Sequence, residues 1–320
     1  MSEPSDKKFL SPTASAEQHA EWQRENVHKV FFLGRIYAIA RNTLTELVRL
    51  KVFYFLLIFG LLIIGNSAFM LQFSFQQEFQ VLKDVSLGAM SIFTSLLAIV
   101  ATAALIPKDI EDRTLYTILA KPVPRLDYLL GKLGGVLLLL AVATVLMSFV
   151  FAIVLYVREQ WVIQQILIEA RSNPELSQEI IQREIAEIKS LTFSTTLFAG
   201  VAVIYIKAAL LAALTLFVST FATSSIFTII IVVAVYFVGH LQATAREYWM
   251  AGGDIGWLTK VFLGLVSLIF PDLQAFNLVD DIVAGNAIGL ALFLKTMGLG
   301  LLYVMIYTLL GYFVFAKKEL

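Results

Sequence analysis

Apolar residues along this chain come in long unbroken runs, separated by short polar stretches. Six runs approach the ~20 mostly apolar residues that an α-helix needs to cross a hydrocarbon core. They cover residues 52–71, 86–106, 133–157, 194–219, 225–240 and 296–316. A backbone amide in lipid has no water to bond, so each run is predicted as a helix rather than a strand. The fifth run is the shortest, and is expected to begin slightly before Ser225 because 219–225 is a tight, uncharged turn region.

A further apolar stretch, 255–270, is interrupted by Gly256 and Gly264 and ends against Pro271. It is short for a span and is expected to form a broken, re-entrant element. Two other segments carry helical periodicity without being apolar throughout. Over 29–51, Val30, Leu33, Tyr37, Ala40, Leu44, Leu47 and Val48 recur on one side, while Arg35, Asn42, Glu46 and Arg49 fall largely on the other. A basic amphipathic helix beside a span is expected to lie in the membrane interface. Between spans three and four, Asn173 and Pro174 read as an N-cap and first helical position, with Glu175 in the favourable first turn. Leu176, Ile180, Ile185, Ile188 and Leu191 then line one face, so 158–192 is expected to be a helical hairpin outside the membrane.

Charge sets the expected orientation. Lys29, Arg35, Arg41, Arg49 and Lys51 precede span one, and Lys108, Arg113, Lys121, Arg125 and Lys132 lie between spans two and three. Lys317 and Lys318 follow span six. With six spans all three clusters share one side, which the positive-inside rule makes the cytosol. The opposite side holds Lys83 alone in the first loop, and a middle loop whose basic residues are diluted by Glu159 to Glu187. A seventh span at 255–270 would put Lys317 and Lys318 outside, against that rule. Both termini are therefore expected in the cytosol, with 1–28 a polar, disordered tail and 52–320 the membrane domain.

Composition agrees: 59% of the 320 residues are hydrophobic, 15% are charged, and the mean hydropathy is +0.82. Soluble domains carry roughly 45–50% apolar and about 25% charged residues. The formal net charge of +0 gives no basic field for nucleic acid. With no Cys, disulfides, thiolate metal sites and thiol nucleophiles are excluded, and the three histidines, His19, His28 and His240, show no ligand spacing.

Charges inside spans are costly, which makes them informative. No Asp or Glu falls within the six runs, and the one mid-span charge is Lys207. Ion-coupled carriers need intramembrane carboxylates, so secondary transport is disfavoured. Lys207 has two readings: a side chain that snorkels or bonds a helix carbonyl, or a residue facing a polar translocation path. No G-x-x-x-x-G-K-[ST] phosphate loop occurs, and Gly131-Lys132 lacks the earlier glycine, so the chain does not hydrolyse ATP by that route. Nor is there an H-E-x-x-H, a G-x-S-x-G or a carboxylate pair at membrane depth. No catalytic residue, cofactor or metal site is expected.

The connection between spans two and three is the most specific part. Pro107 is expected to end the span, Asp109, Glu111 and Asp112 suit the start of a short helix, and Pro122 and Pro124 stop it. Ile110, Leu115, Ile118 and Leu119 give that helix an apolar side. By itself this is equally a helix that merely returns the chain to the bilayer. Yet Glu111, Thr114 or Leu115, Leu119, Pro122, Arg125, Gly131 and Lys132 fit a pattern, E-x-x-x-G/T-L-x-x-L-L-x-x-P-v-s-R-x-x-x-x-x-G-K. In this the chain resembles the ABC-2-type permeases, membrane subunits of one class of ATP-binding-cassette exporters. The helix before span one, the six spans, the broken outer segment, the Pro271-Asp272-Leu273 run and the end at 311–320 also look like that family. Among its subgroups the chain is most similar to permeases of the nitrous-oxide-reductase copper-assembly type, although it offers no Cys, few His and 7 Met for copper.

The resemblance implies that 107–127 is a coupling helix seated in an ATPase, through Asp109, Glu111, Asp112, Arg113, Thr114, Leu115 and Leu119. It implies an outer gate in 241–294 around Trp257, Phe270 and Pro271. It also implies a homodimer, or a heterodimer with a related permease, working with separate ATPase subunits that bind ATP–Mg and exporting an unidentified substrate. The Phe-, Leu-, Val- and Ile-rich spans suit lipid-like or amphipathic cargo, as membrane helices in general do. An ATP-independent carrier or channel, and a non-transporting anchor for an outside partner, are the competing readings. Gly131 with Gly135, and Ala208/Ala209 with Ala212/Ala213, are small-residue pairs that permit close helix approach within one chain or between two.

Overall fold

The computed structural model describes residues 33–67, 75–112, 124–172, 178–194, 196–251, 257, 270–283 and 288–317. Among them the protein is all helical, with no strand. Helix α1 (Leu33–Val48) is followed by α2 (Lys51–Asn66), bent from it by 69°. Then come α3 (Phe75–Ala103), α4 (Leu105–Glu111), α5 (Arg125–Ser172), α6 (Gln178–Thr192), α7 (Thr196–Phe221) and α8 (Ser225–Ala251). A 3-10 turn (Gln274–Phe276), α9 (Val279–Val283) and α10 (Leu290–Lys317) complete it. Among the described residues five stretches are long and apolar enough to cross a membrane, and the bent α1–α2 pair, taken as one span, makes six.

Helix α7 is the axis of the bundle. Most of its residues are buried on all sides, and it packs against α3, α5, α8 and α10. Its small residues Ala208, Ala209, Ala212 and Ala213 are fully buried, which lets neighbouring backbones come near. The outer helices present apolar stripes outward: Leu138, Val142, Val145, Phe149 and Ile153 on α5, and Leu294, Leu301, Met305, Leu309 and Phe313 on α10. Large outward-facing apolar surfaces of this kind suit a lipid solvent.

Helix boundaries differ from the expected spans for identifiable reasons. The expected end of span two at Pro107 falls inside α4, and the break comes at Ala104. Proline lacks the N–H that would reach the carbonyl one turn back, yet is accepted in a first turn, so the new helix starts just before it. Helix α8 begins at Ser225 rather than earlier, because Ser224 caps it: its Oγ accepts from the Phe227 amide at 3.3 Å. The extra length lies at the other end, to Ala251. The supposed first-loop residue Lys83 stands within α3 instead, buried, with Nζ donating to the Leu191 carbonyl at 2.5 Å.

The hairpin at 158–192 forms by extension. Helix α5 has 48 residues, about 72 Å at 1.5 Å each, against a hydrocarbon core of roughly 30 Å. Its far part and α6 lie against each other. Arg158 of α5 pairs with the buried Glu78 of α3, and its guanidinium stacks 4.3 Å over Trp161. The predicted cap at Asn173 and Pro174 lies outside the described residues.

The Gly131/Gly135 pair serves the chain's own α1. A Cβ at Gly131 would stand 2.6 Å from Ile39, and one at Gly135 would stand 2.8 Å from the Ala40 carbonyl oxygen and 2.6 Å from Thr43. Helix α1 thus buries Ala40, Thr43 and Leu47, while Leu33 and Tyr37 of the expected apolar face point outward, 68% and 66% exposed. Gly135→Val should push α1 off α5 at a cost of about 1–3 kcal/mol. The thermal midpoint of the detergent-solubilised protein should fall, whereas Gly134→Ala, whose Cβ would sit an ordinary 3.5 Å from Ala40, should leave it nearly unchanged.

Candidate functional site: the α1–α4–α5 junction and the α7 cleft

At one end of the bundle, α1, α4, the start of α5 and the end of α10 meet in a charged junction. Glu46 of α1 accepts from Lys108 of α4 at 2.8 Å and lies 3.6 Å from Lys132 of α5. Lys132 pairs with Asp109 at 2.7 Å, and the Tyr128 hydroxyl donates to the same carboxylate at 2.5 Å. Lys132, Asp109 and Tyr128 are all buried. Arg35 bonds Asp127 at 2.9 Å, a second tie between α1 and α5. Arg125 donates to the Phe315 and Ala316 carbonyls at 2.8 and 2.6 Å, satisfying the last turn of α10, while Tyr128 stacks on Phe315.

A groove of about 730 Å³ opens beside this junction, lined by Asn42, Glu46, Arg49, Lys108, Asp112 and Lys132 among others. Of the expected coupling residues, Asp109 turns inward and acts as an internal strut. Glu111 and Asp112 are exposed at the end of α4. Arg113, Thr114, Leu115 and Leu119 lie outside the described residues. Of the expected gate residues, Trp257 is exposed and Phe270 half-buried. Pro271 is buried, its carbonyl oxygen 2.7 Å from where a Cβ on Gly239 of α8 would stand.

The segment after Pro271 is tucked into the opposite end of the bundle. The Leu273 amide donates to the Gly239 carbonyl at 3.1 Å, and Asp272 Oδ1 accepts from the Gln274 amide at 3.1 Å. Phe276 packs by Gly300 of α10, and Ile282 of α9 by Gly200 of α7.

Lys207 has partners that linear order hides. Its Nζ lies 3.0 Å from His240 Nε2 on α8 and 3.2 Å from Ser91 Oγ on α3, and 5.8 Å from the Tyr236 ring centroid. His240 Nδ1 lies 2.9 Å from the Tyr236 carbonyl, an acceptor only, so that nitrogen carries the proton and Nε2 accepts from the ammonium. A cleft of about 310 Å³ reaches these groups, lined by Asp84, Gly88, Ser91, Ile92, Lys207, Tyr236, His240, Asn277 and Val279. Sequence reasoning found Lys207 but set His240 aside and passed over Ser91, Tyr236 and Asn277. The spacing of Tyr236 and His240, one helical turn apart, was the available signal.

A family model described as ABC-2 family transporter protein matches residues 37–320. The chain belongs to the ABC-2 transporter family. It is thus an integral membrane component of a transport system, of a family that works with an ABC ATPase. The match begins after Arg35 and takes in the rest of the charged junction and the α7 cleft. No curated protein matches the sequence.

Within this ABC-2 protein the Lys132–Asp109–Tyr128 triad is the most deeply buried ionic contact of the junction. Removing one partner of a buried ion pair typically costs about 3–5 kcal/mol, because the other charge is left unpaired. Lys132→Met alone should lower the thermal midpoint sharply. Lys132→Met with Asp109→Asn should recover part of the loss, which a double-mutant cycle on the detergent-solubilised protein measures.

Proposed function

We propose that this chain is the permease of an ATP-driven exporter, powered by separate cytosolic ATP-binding-cassette subunits that bind ATP–Mg and hydrolyse it. The observation that carries this reading is the junction of α1, α4, α5 and α10. Four helices are tied there by ion pairs and carbonyl bonds, so a push on the α4 connection reaches all of them at once. A polar groove open beside such a junction is where a driving subunit has purchase.

In this reading the 107–127 connection is the coupling helix. Glu111 and Asp112 meet the ATPase, with Arg113, Thr114, Leu115 and Leu119 following them. Asp109 transmits the motion inward through Lys132. The junction faces the cytosol, with both chain termini on that side of a bacterial inner membrane and the α5–α6 hairpin outside. The clustering of basic residues at the junction supports that orientation. Two copies pair to form the pathway, and the segment carrying Trp257, Phe270 and Pro271 closes its outer end.

Purification of the tagged protein from its native membrane in mild detergent tests the partner. An ATPase with a phosphate-binding loop should copurify with the wild type, and much less with Glu111→Ala/Arg113→Ala. Absence of any such ATPase, with none recruited when candidates are added back, would overturn the reading. The orientation is tested separately, because a chain without Cys accepts single-cysteine labels cleanly. In intact cells an impermeant maleimide should label Gln182→Cys in the hairpin but not Asp112→Cys.

A further inference from the structure

We infer that the cleft beside α7 is a binding site for the anionic head of an amphiphilic substrate, with Lys207 as the group that holds it. The inference rests on the exporter reading and adds to it the substrate's chemical class.

Charge is the first argument. Lys207 is 3% exposed at the middle of a helix, where an ammonium costs several kcal/mol. Among the described residues no carboxylate lies within ion-pair distance of it, unlike Lys108, Lys132, Arg35 and Arg158. Its neighbours are neutral: a serine hydroxyl, an imidazole whose Nε2 is an acceptor, and the face of a tyrosine ring. An ammonium has three N–H donors. Two are taken by Ser91 and His240, which leaves one over at the cleft floor among the described residues. A buried charge with a spare donor and no counter-ion is matched by an anion that brings its own acceptor oxygens.

Shape supplies the second argument. The cleft descends along α3 from Asp84 through Gly88 to Ser91, about 10 Å of rise, with Asn277 and Val279 also lining it. Its volume of about 310 Å³ suits a carboxylate or phosphate head with its first few atoms, not a whole lipid. Gly88 has no atom within 4 Å of where its Cβ would stand, so the wall is open there. Ile92 lines the cleft and is 51% exposed, continuing onto outward apolar surface, so an apolar tail can leave sideways while the head stays inside. Asp84 is the one carboxylate lining the cleft among the described residues. It stands about two helical turns from Ser91, so the repulsion it exerts on an anion is weakest at the Lys207 end of the cleft.

The test uses the purified chain alone in neutral detergent, with a dansyl-labelled long-chain carboxylic acid and its uncharged methyl ester as probes. The acid should bind saturably and the ester about tenfold or more weaker, the effect of losing one charge-assisted contact. Lys207→Met, similar in length and suited to an apolar helix, should bring the acid down to the ester's affinity. Lys207→Arg should keep the preference, and Lys295→Met, altering an exposed lysine on α10, should change nothing. Dodecyl phosphate should displace the probe, and inorganic phosphate at the same concentration should not. Equal affinity of acid and ester for the wild type would overturn the inference without needing any variant to fold. So would an unchanged preference in Lys207→Met, or displacement by inorganic phosphate as effective as by dodecyl phosphate. No ATPase enters this assay, so its failure and the failure of ATPase copurification are separate results.

Discussion

A charge taken out of water into a helical bundle must find its compensation on another helix, and this requirement organises the packing here. Several buried ions among the described residues bridge elements distant in sequence. Lys132 and Tyr128 of α5 converge on Asp109 of α4. Arg158 of α5 reaches Glu78 of α3. Lys83 of α3 satisfies the last turn of α6 through the Leu191 carbonyl. Among hydrophobic helices in a hydrophobic solvent, burial of apolar surface does little to choose one partner over another. The ionic contacts and the small residues therefore carry much of the specificity.

These contacts gather at the two ends of the bundle and hold them differently. At the junction end they fasten α1, α4, α5 and α10 into a block, with an exposed acidic tip at Glu111 and Asp112. At the hairpin end the α5 extension, α6 and the turn at 271–283 are pinned to α3, α7 and α8. Between the two lies α7, whose alanines let its neighbours close in and whose Lys207 is the one charge at mid-depth without an ionic partner among the described residues. In the proposed exporter, the Asp109–Lys132 pair is the contact that links α4 to the start of α5.

The site was legible in the sequence only in part. The connection between spans two and three announced itself because charges, prolines and the Gly131-Lys132 pair sit close together in order. Lys207 stood out because a charge in an apolar run is conspicuous. Its surroundings did not, because Ser91, Tyr236 and His240 belong to other helices, and a serine or a histidine in an apolar run has many ordinary uses. Asp109 shows the opposite failure. Its position suggested the start of a short helix, whereas it lies near the end of α4 with its carboxylate on Lys132 and Tyr128.

The sequence by itself determined that this chain is built of membrane-crossing helices, about where they run, and which of its ends gather positive charge. Those properties follow from length, hydropathy and charge, which a lipid bilayer reads segment by segment. It could not determine which helix occupies the centre, that Gly131 and Gly135 receive α1, or that Lys207 faces a histidine and a serine across a cleft. Such facts depend on which faces of the helices meet. In apolar helices the periodic contrast that would mark a buried face is nearly absent, so only the assembled bundle decides it.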